Sequence, residues 1–262
     1  MKLAPATILA LAEHLETCEL EARDTPKITD QHPEMDWEDA YAIQAEIRRR
    51  KLGRGARIVG LKAGLTSRAK MKQMGVETPV FGFLVDRYVV PDGGECLASE
   101  LIHPKVEPEV AFVLKRPLKG PGCHLGAVLA ATDFVMPAIE VIDSRYRDFK
   151  FDLKSVVADN CSSSRFVVGS QCRSVEDLDL RTLGVVLEKN GEVVALGAAA
   201  AVLGHPAAAV AMLANFLGAR GEELPAGTLI LSGGITEAIP VKAKDAVSLR
   251  VQGLGSVSLR FT

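Results

Sequence analysis

The spacing of apolar residues changes once along this chain, and that change limits the folds open to it. Over residues 6–21 the side chains of Ile8, Leu9, Leu11, Ala12 and Leu15 recur at helical spacing. A second helix is expected over residues 37–50, with Asp36 as its cap, an acidic first turn, a basic last turn and Gly53 just beyond. From Arg57 onward the pattern becomes short apolar or alternating runs broken by Gly, Pro and Asp. These predict strands at 58–62, 81–85, 106–114, 134–142, 165–168, 185–188, 193–196, 229–231, 238–241, 247–251 and 257–261. Between two of them, Lys189-Asn-Gly-Glu192 predicts a hairpin, because Asn-Gly accepts the positive φ angles of a type I′ turn. Helices are expected at 125–131 and at 206–217, the latter with Pro206 in the first helical position. Strands that outnumber helices without alternating with them argue against doubly wound and (β/α)₈ folds. The expected class is therefore α+β, a mixed and largely antiparallel β core with an N-terminal helical cap. The cap region is expected at 1–75 and the β domain at 76–262, forming one compact unit, since 262 residues of 48% apolar content can bury a sizeable core.

Charge and cysteine content narrow the function classes. Lys and Arg number 31 against 33 Asp and Glu, a net charge of −2, and no basic stretch suggests a nucleic-acid partner. Glu13, Glu16, Glu19 and Glu21 interrupt the first helix, so a signal peptide is not expected, and no apolar run reads as a membrane span. The five cysteines are scattered, odd in number and form no Cys-x-x-Cys pair. Reduced thiols in a cytoplasmic protein are expected rather than a disulfide framework or zinc site.

Glu107 and Glu109 stand one residue apart in the strand predicted at 106–114. Alternate strand residues share a face with Cα atoms roughly 6.5–7 Å apart, so both carboxylates can converge on one point. Such a pair either lies on a solvated face or faces a compensating cation, because two dehydrated anions repel. Glu140 ends a second apolar run, and a three-carboxylate set of this kind suits Mg²⁺ or Mn²⁺. Pro108 cannot donate to a ladder, which places this end of the strand at an edge or a bulge. Lys62 interrupts an apolar run flanked by Gly60 and Gly64; it must snorkel, pair with an anion or face a polar cavity. Arg145 can fork onto a carboxylate or form one half of a surface ion pair. The run Asp159-Asn-Cys-Ser-Ser-Ser-Arg165 reads as turn and capping chemistry. Ser232-Gly-Gly-Ile-Thr236 offers backbone N–H groups for an anion-binding nest, without a dinucleotide fingerprint. His103, near the acids, reads as a structural polar residue.

Jointly, Gly60-Leu-Lys-Ala-Gly-Leu-Thr66, Pro79-Val-Phe-Gly82, His103-Pro-Lys-Val-Glu-Pro-Glu109, Pro137-Ala-Ile-Glu140, Val157-Ala-Asp-Asn160 and Ser232-Gly-Gly-Ile-Thr236 resemble the hydratase/decarboxylase family of aromatic meta-cleavage catabolism. That family lies within the fumarylacetoacetate-hydrolase-like superfamily, and the resemblance runs through nearly the whole chain. The stretches Lys70-Met-Lys-Gln-Met-Gly-Val76 and Val141-Ile-Asp-Ser-Arg-Tyr146 are closest to its decarboxylase branch. The hydratase branch carries Asp where this chain has Val80, and an apolar residue there suits loss of CO₂ better than delivery of water.

The resemblance implies that Glu107, Glu109 and Glu140 ligate Mg²⁺, with Mn²⁺ as a possible substitute. It implies Lys62 and Ser162 as catalytic residues, and Leu65, Val80, Arg145, Ser232, Gly233, Gly234 and Thr236 as substrate contacts. The implied activity is metal-dependent decarboxylation of a 2-oxo dicarboxylate, 2-oxo-3-hexenedioate, whose departing carboxylate is conjugated to the ketone. Implied partners are the pathway hydratase and further copies of the chain. The alternatives are the hydratase activity itself and a superfamily C–C bond hydrolase, for which neither His14 nor His32 announces itself as the base.

Overall fold

The computed structural model describes residues 1–73 and 76–262. The chain opens with helices α1 Pro5–Leu20 and α2 Trp37–Gly53. A capping box starts α2: the Asp36 carboxylate accepts the Asp39 N–H at 2.9 Å, and the Asp39 carboxylate accepts the Asp36 N–H at 3.0 Å. The remaining elements, in chain order, are β1 Ile58–Gly64, α3 Arg68–Gln73, β2 Val80–Val85, β3 Gly94–Cys96, β4 Lys105–Leu114, α4 Leu125–Ala131, β5 Thr132–Ile142, α5 Leu153–Ala158, β6 Ser163–Val168, β7 Gly184–Lys189, β8 Glu192–Ala198, α6 Pro206–Gly218, β9 Leu229–Leu231, β10 Ile239–Pro240, β11 Ala246–Val251 and β12 Gly255–Phe261. Each expected strand is present with small shifts at its ends. The pieces the sequence did not show, β3, α3 and α5, run to 3, 6 and 6 residues, too short to display a period. Asn190 and Gly191 take φ values of 57° and 84° in the β7–β8 turn, as their chemistry requires. The boundary expected between residues 75 and 76 falls on Gly75, and the decarboxylase-branch stretch includes Met74 and Gly75; these lie outside the described residues.

Two sheets form the core. One has the order β2-β1-β9-β4-β5-β6, with β10 also pairing β4; the other has the order β3-β12-β11-β7-β8. Pairing is antiparallel except for β1 with β9 and β12 with β3, giving a mixed and largely antiparallel core of the α+β class. Strand alternation then sorts β4. Val106, Val110 and Phe112 turn into the main core with Val247 and Leu259 of the second sheet. Glu107, Glu109 and Ala111 turn to the other face, where Ala111 packs with Ala138, Met136 and Leu231. The α1–α2 pair buries Leu11, Leu15, Ile43 and Ile47 against Phe83 and Val85 of β2 and Val157 of α5.

The expectation that Pro108 marks an edge or bulge is corrected. β4 lies inside the sheet, with Pro108 in register with Ile139 of β5 and the one register shift at Val113/Leu114. On its other side β10 pairs residues 105–106 and β9 pairs residues 111–113, leaving a gap between them. The chain after β9 crosses that gap: Ser232 N–H donates to the Val110 carbonyl at 3.2 Å, and Ile235 N–H to the Pro108 carbonyl at 2.9 Å. Proline is tolerated because a loop replaces a ladder there.

A second correction concerns apolar runs. Ala199–Gly218 has mean hydropathy 1.6 over the length of a membrane-crossing helix. It is α6 preceded by a turn at Gly204, and Ala207, Val210, Leu213 and Ala214 are buried in the main core.

Candidate metal centre

Glu107 of β4 is the register partner of Glu140 of β5, so their side chains rise side by side from one face, with Glu109 one alternation further. One carboxylate oxygen from each of the three lies within 4.8 Å of the others. Glu109 and Glu140 are fully buried and Glu107 is half-buried, so the cluster opens on the Glu107 side. Glu109 Oε2 accepts the Gly233 N–H at 2.6 Å, while Glu109 Oε1 and Glu140 Oε1 are buried without hydrogen-bond partners. Burial first, then the neighbouring Glu140 and Glu107, pushes the Glu109 carboxyl well above the ordinary range, against the pull of Lys62.

Lys62 of β1 reaches the cluster because β1 and β4 both flank β9, with Lys62 and Ala111 each in register with Leu231. Its Nζ lies 2.7 Å from Glu140 Oε2 and donates to the Cys161 carbonyl at 3.1 Å. Burial alone would depress this ammonium, but Glu140, with Glu107 and Glu109, outweighs burial and holds it above the usual lysine value. Lys62 is thus a fixed positive charge. Gly82, in register with Lys62, leaves the room it needs: a Cβ there would lie 2.9 Å from Asn160 Oδ1 and 3.2 Å from Lys62 Cγ.

The Cys161 carbonyl is aimed by an unusual turn. Asn160, Cys161 and Ser162 all have positive φ (48°, 53° and 57°), the left-handed region that non-glycine residues avoid. Such strain persists only where surroundings fix it. Asn160 does so by pairing with β2 as a strand would: its Nδ2 donates to the Phe83 carbonyl at 3.0 Å and its Oδ1 accepts the Phe83 N–H at 2.9 Å. Arg145 does so from the other side. Its Nε donates to Asp159 Oδ1, and its terminal nitrogens donate to the carbonyls of Asp143 (2.6 Å), Ser163 (3.2 Å) and Asp159 (2.5 Å). The Ser162 hydroxyl, carried by this turn, is buried without a partner.

Some expected residues meet the glutamates here and others do not. Lys62 joins the three glutamates, as do Gly233, through its N–H, and Gly234, where a Cβ would sit 2.9 Å from Glu107 Cδ. Ser232 is buried with a free hydroxyl, and Val80 packs 3.3 Å from a Cβ built on Gly64. Leu65, at φ 57°, packs into both neighbouring apolar clusters. Thr236 is half-buried and donates to the Glu237 carbonyl at 3.1 Å. Arg145 is corrected from substrate contact to internal brace, since it is 2% exposed and its donors are directed to the chain itself. In the sequence Asp159 and Asn160 read as turn and capping residues, and the structure adds that Asn160 pins a left-handed turn to β2 while Asp159 anchors Arg145.

The donor set fits a hard divalent cation. An ion bound at roughly 2.0–2.5 Å from each oxygen requires oxygens within about 4–5 Å of one another, as these are. The buried oxygens of Glu109 and Glu140 without hydrogen-bond partners are what such an ion would relieve.

Residues 60–262 match the fumarylacetoacetate hydrolase C-terminal family. A 4-oxalocrotonate decarboxylase of Pseudomonas sp. strain CF600 is 66% identical over 97% of this chain and 96% of its own. A 2-hydroxyhexa-2,4-dienoate hydratase of Comamonas testosteroni is 42% identical over 92% of each. Among solved structures, 4-oxalocrotonate decarboxylase from Pseudomonas putida G7, complexed with magnesium and adipate, superposes with a TM-score of 0.97. It is 62% identical, and the match covers 100% of this chain and 99% of that one.

Proposed function

The chain belongs to the fumarylacetoacetate hydrolase C-terminal family, and from that premise we propose that it is a divalent-metal-dependent 4-oxalocrotonate decarboxylase. The reaction converts 2-oxo-3-hexenedioate to 2-hydroxypenta-2,4-dienoate and CO₂ in aromatic meta-cleavage catabolism. The observation that carries the reading is the trio Glu107, Glu109 and Glu140 beside Lys62, with buried oxygens of Glu109 and Glu140 lacking hydrogen bonds, in a chain 66% identical to a 4-oxalocrotonate decarboxylase.

Glu107, Glu109 and Glu140 would hold Mg²⁺, or Mn²⁺ in its place, with Glu109 and Glu140 contributing buried oxygens that have no hydrogen-bond partner. When bound, the ion supplies Lewis-acid polarisation of the substrate's 2-oxo group. Loss of CO₂ leaves an electron pair on C5 that is delocalised through the C3–C4 double bond onto the C2 oxygen. The substrate is its own electron sink, and an oxygen that gains charge needs a positive neighbour already in place. Lys62 meets that need by position: Glu140 and the Cys161 carbonyl fix its Nζ beside the site. Its role is at the C2 oxygen, by charge or by proton transfer. The Ser162 and Ser232 hydroxyls, buried and unpaired, are available to orient the substrate, and Leu65 and Val80 keep their side of the site apolar.

The five cysteines are all free, in keeping with a reducing cytoplasm. The reading also includes homo-oligomerisation and a complex with the hydratase that takes the dienoate onward. Incubation with 2-oxo-3-hexenedioate, with and without Mg²⁺, tests the reading through released CO₂ and the ultraviolet spectrum of the dienoate. Magnesium-dependent CO₂ release is expected. Water uptake without CO₂ would place the chain with the hydratases instead.

A further inference from the structure

The burial of β4 falls off toward its start, and the site opens in that direction. Glu109 is fully buried, Glu107 is half-buried, and Lys105, next on the same face, is also half-buried. Among the described residues the Lys105 ammonium has no carboxylate partner; it lies over the face of Phe149, 4.1 Å from the ring centroid. Phe149 and the preceding Asp148 have φ values of 59° and 57°, and the Phe149 ring packs 5.0 Å from that of His103. A constrained loop therefore presents an aromatic floor beneath a lysine at the mouth of the metal centre.

We propose that Lys105, supported by Phe149, is the specificity residue that receives the substrate's second carboxylate. The proposal rests on the decarboxylase reading above. The substrate is a dianion, and an ion held by the three glutamates meets only the carboxylate that reaches it. One carboxylate belongs with the buried ion. The other, several carbons away, must lie outward, since Glu109 and the apolar cluster of Ala111, Ala138 and Leu231 close the inward direction. Among the described residues, Lys105 is the cation that β4 carries on that side. Its position at the opening also suits a carboxylate that must leave as CO₂: a half-exposed ammonium draws the dianion in by charge, yet binds it less firmly than a buried guanidinium fork would. This function is recognition, and it appears in binding rather than in turnover.

Adipate and hexanoate differ by one carboxylate and isolate the contact. Calorimetry on the Mg²⁺-loaded full chain should show Lys105→Met weakening adipate about tenfold, hexanoate less than about twofold, and Mg²⁺ itself negligibly. Lys105→Arg should recover most adipate affinity. In parallel, KM for 2-oxo-3-hexenedioate should rise about tenfold in Lys105→Met, with kcat changed by less than about threefold. Equal weakening of both acids, or no weakening of either, would overturn the proposal, as would a fall in kcat at unchanged KM. A wild-type chain that releases no CO₂ would sink the decarboxylase reading alone, because the two-acid comparison reads Lys105 without turnover.

Discussion

Buried carboxylates occur both in the helical cap and at the centre of the large sheet, and the two places treat them differently. Between α1 and α2, Glu16 is 1% exposed and lies 2.6 Å from Arg50, with Arg54 on its other oxygen. Glu19 pairs with Lys51 at 2.7 Å; burial would raise its carboxyl, but Lys51 outweighs burial and holds it below the ordinary range. At the centre, Glu107, Glu109 and Glu140 gather with Lys62 paired to Glu140, and Glu109 is pushed upward instead. Burial is common to both sets, so burial of an acid does not mark function. The sign of the perturbation does: the cap neutralises its acids within the fold, whereas the centre leaves charge for something else to neutralise.

The sharpest way to break this contrast is to remove one central carboxylate. Glu109→Gln should lower Mg²⁺-dependent CO₂ release at least about a hundredfold, since a ligand and its charge are lost together. In the presence of a chelator the same variant should be more stable than the parent, by about 1–2 kcal/mol, because like-charge repulsion is relieved. Denaturant melts with and without chelator check this; a destabilised metal-free variant would put Glu109 in the same class as the cap acids. Lys62→Met should lower kcat by about 10²–10³, the scale for losing one preorganised charge, while Mg²⁺ affinity changes less than tenfold. Equal losses in turnover and Mg²⁺ affinity would reduce Lys62 to a structural counter-charge.

The cap gives the complementary test. Glu19→Gln leaves Lys51, only 7% exposed, without its anion, and should destabilise the fold by about 3 kcal/mol both with and without metal. Its kcat per folded molecule should match the parent. A selective loss of activity would mean that the cap communicates with the site, through the Arg145–Asp159 pair that braces the left-handed turn.

How much of this was legible in the sequence follows the same division. Glu107 and Glu109 share a face because of local alternation, so their convergence could be read directly, and a lysine inside an apolar run demanded an anion. That Glu140 is the anion is a matter of register between β4 and β5, and of β9 standing between β1 and β4, which no local pattern encodes. The segment Asn160–Ser162 was legible as a turn but not as a left-handed one, for a different reason. Left-handed backbone is announced by glycine, and here tertiary contacts from Phe83 and Arg145 hold it instead. In the sequence Arg145 reads as forking onto a carboxylate or as half of a surface ion pair; Asp159 is that carboxylate, and only the fold shows the carbonyls that let the pair be buried.

The smallest predicted effect is the one that separates the two regions by sign. Glu109 holds its proton more tightly in the metal-free folded protein than in the unfolded chain. As pH rises past the ordinary glutamate value the unfolded chain loses that proton first, so the folded state binds more protons and its stability falls with pH. The decline is at most about 1.4 kcal/mol per pH unit and ends once pH passes the raised folded value. Glu19 has the opposite linkage: its depressed folded value gives stability that is present above the ordinary glutamate range and is lost as pH falls. Melts of the metal-free protein from pH 4 upward should therefore show a loss on the alkaline side that saturating Mg²⁺ removes, because an ion on the carboxylates displaces the proton. Glu109→Gln should remove the same loss without metal, while Glu19→Gln leaves it in place. A decline that survives both Mg²⁺ and Glu109→Gln would mean that the excess charge at the centre is not what sets it apart from the cap.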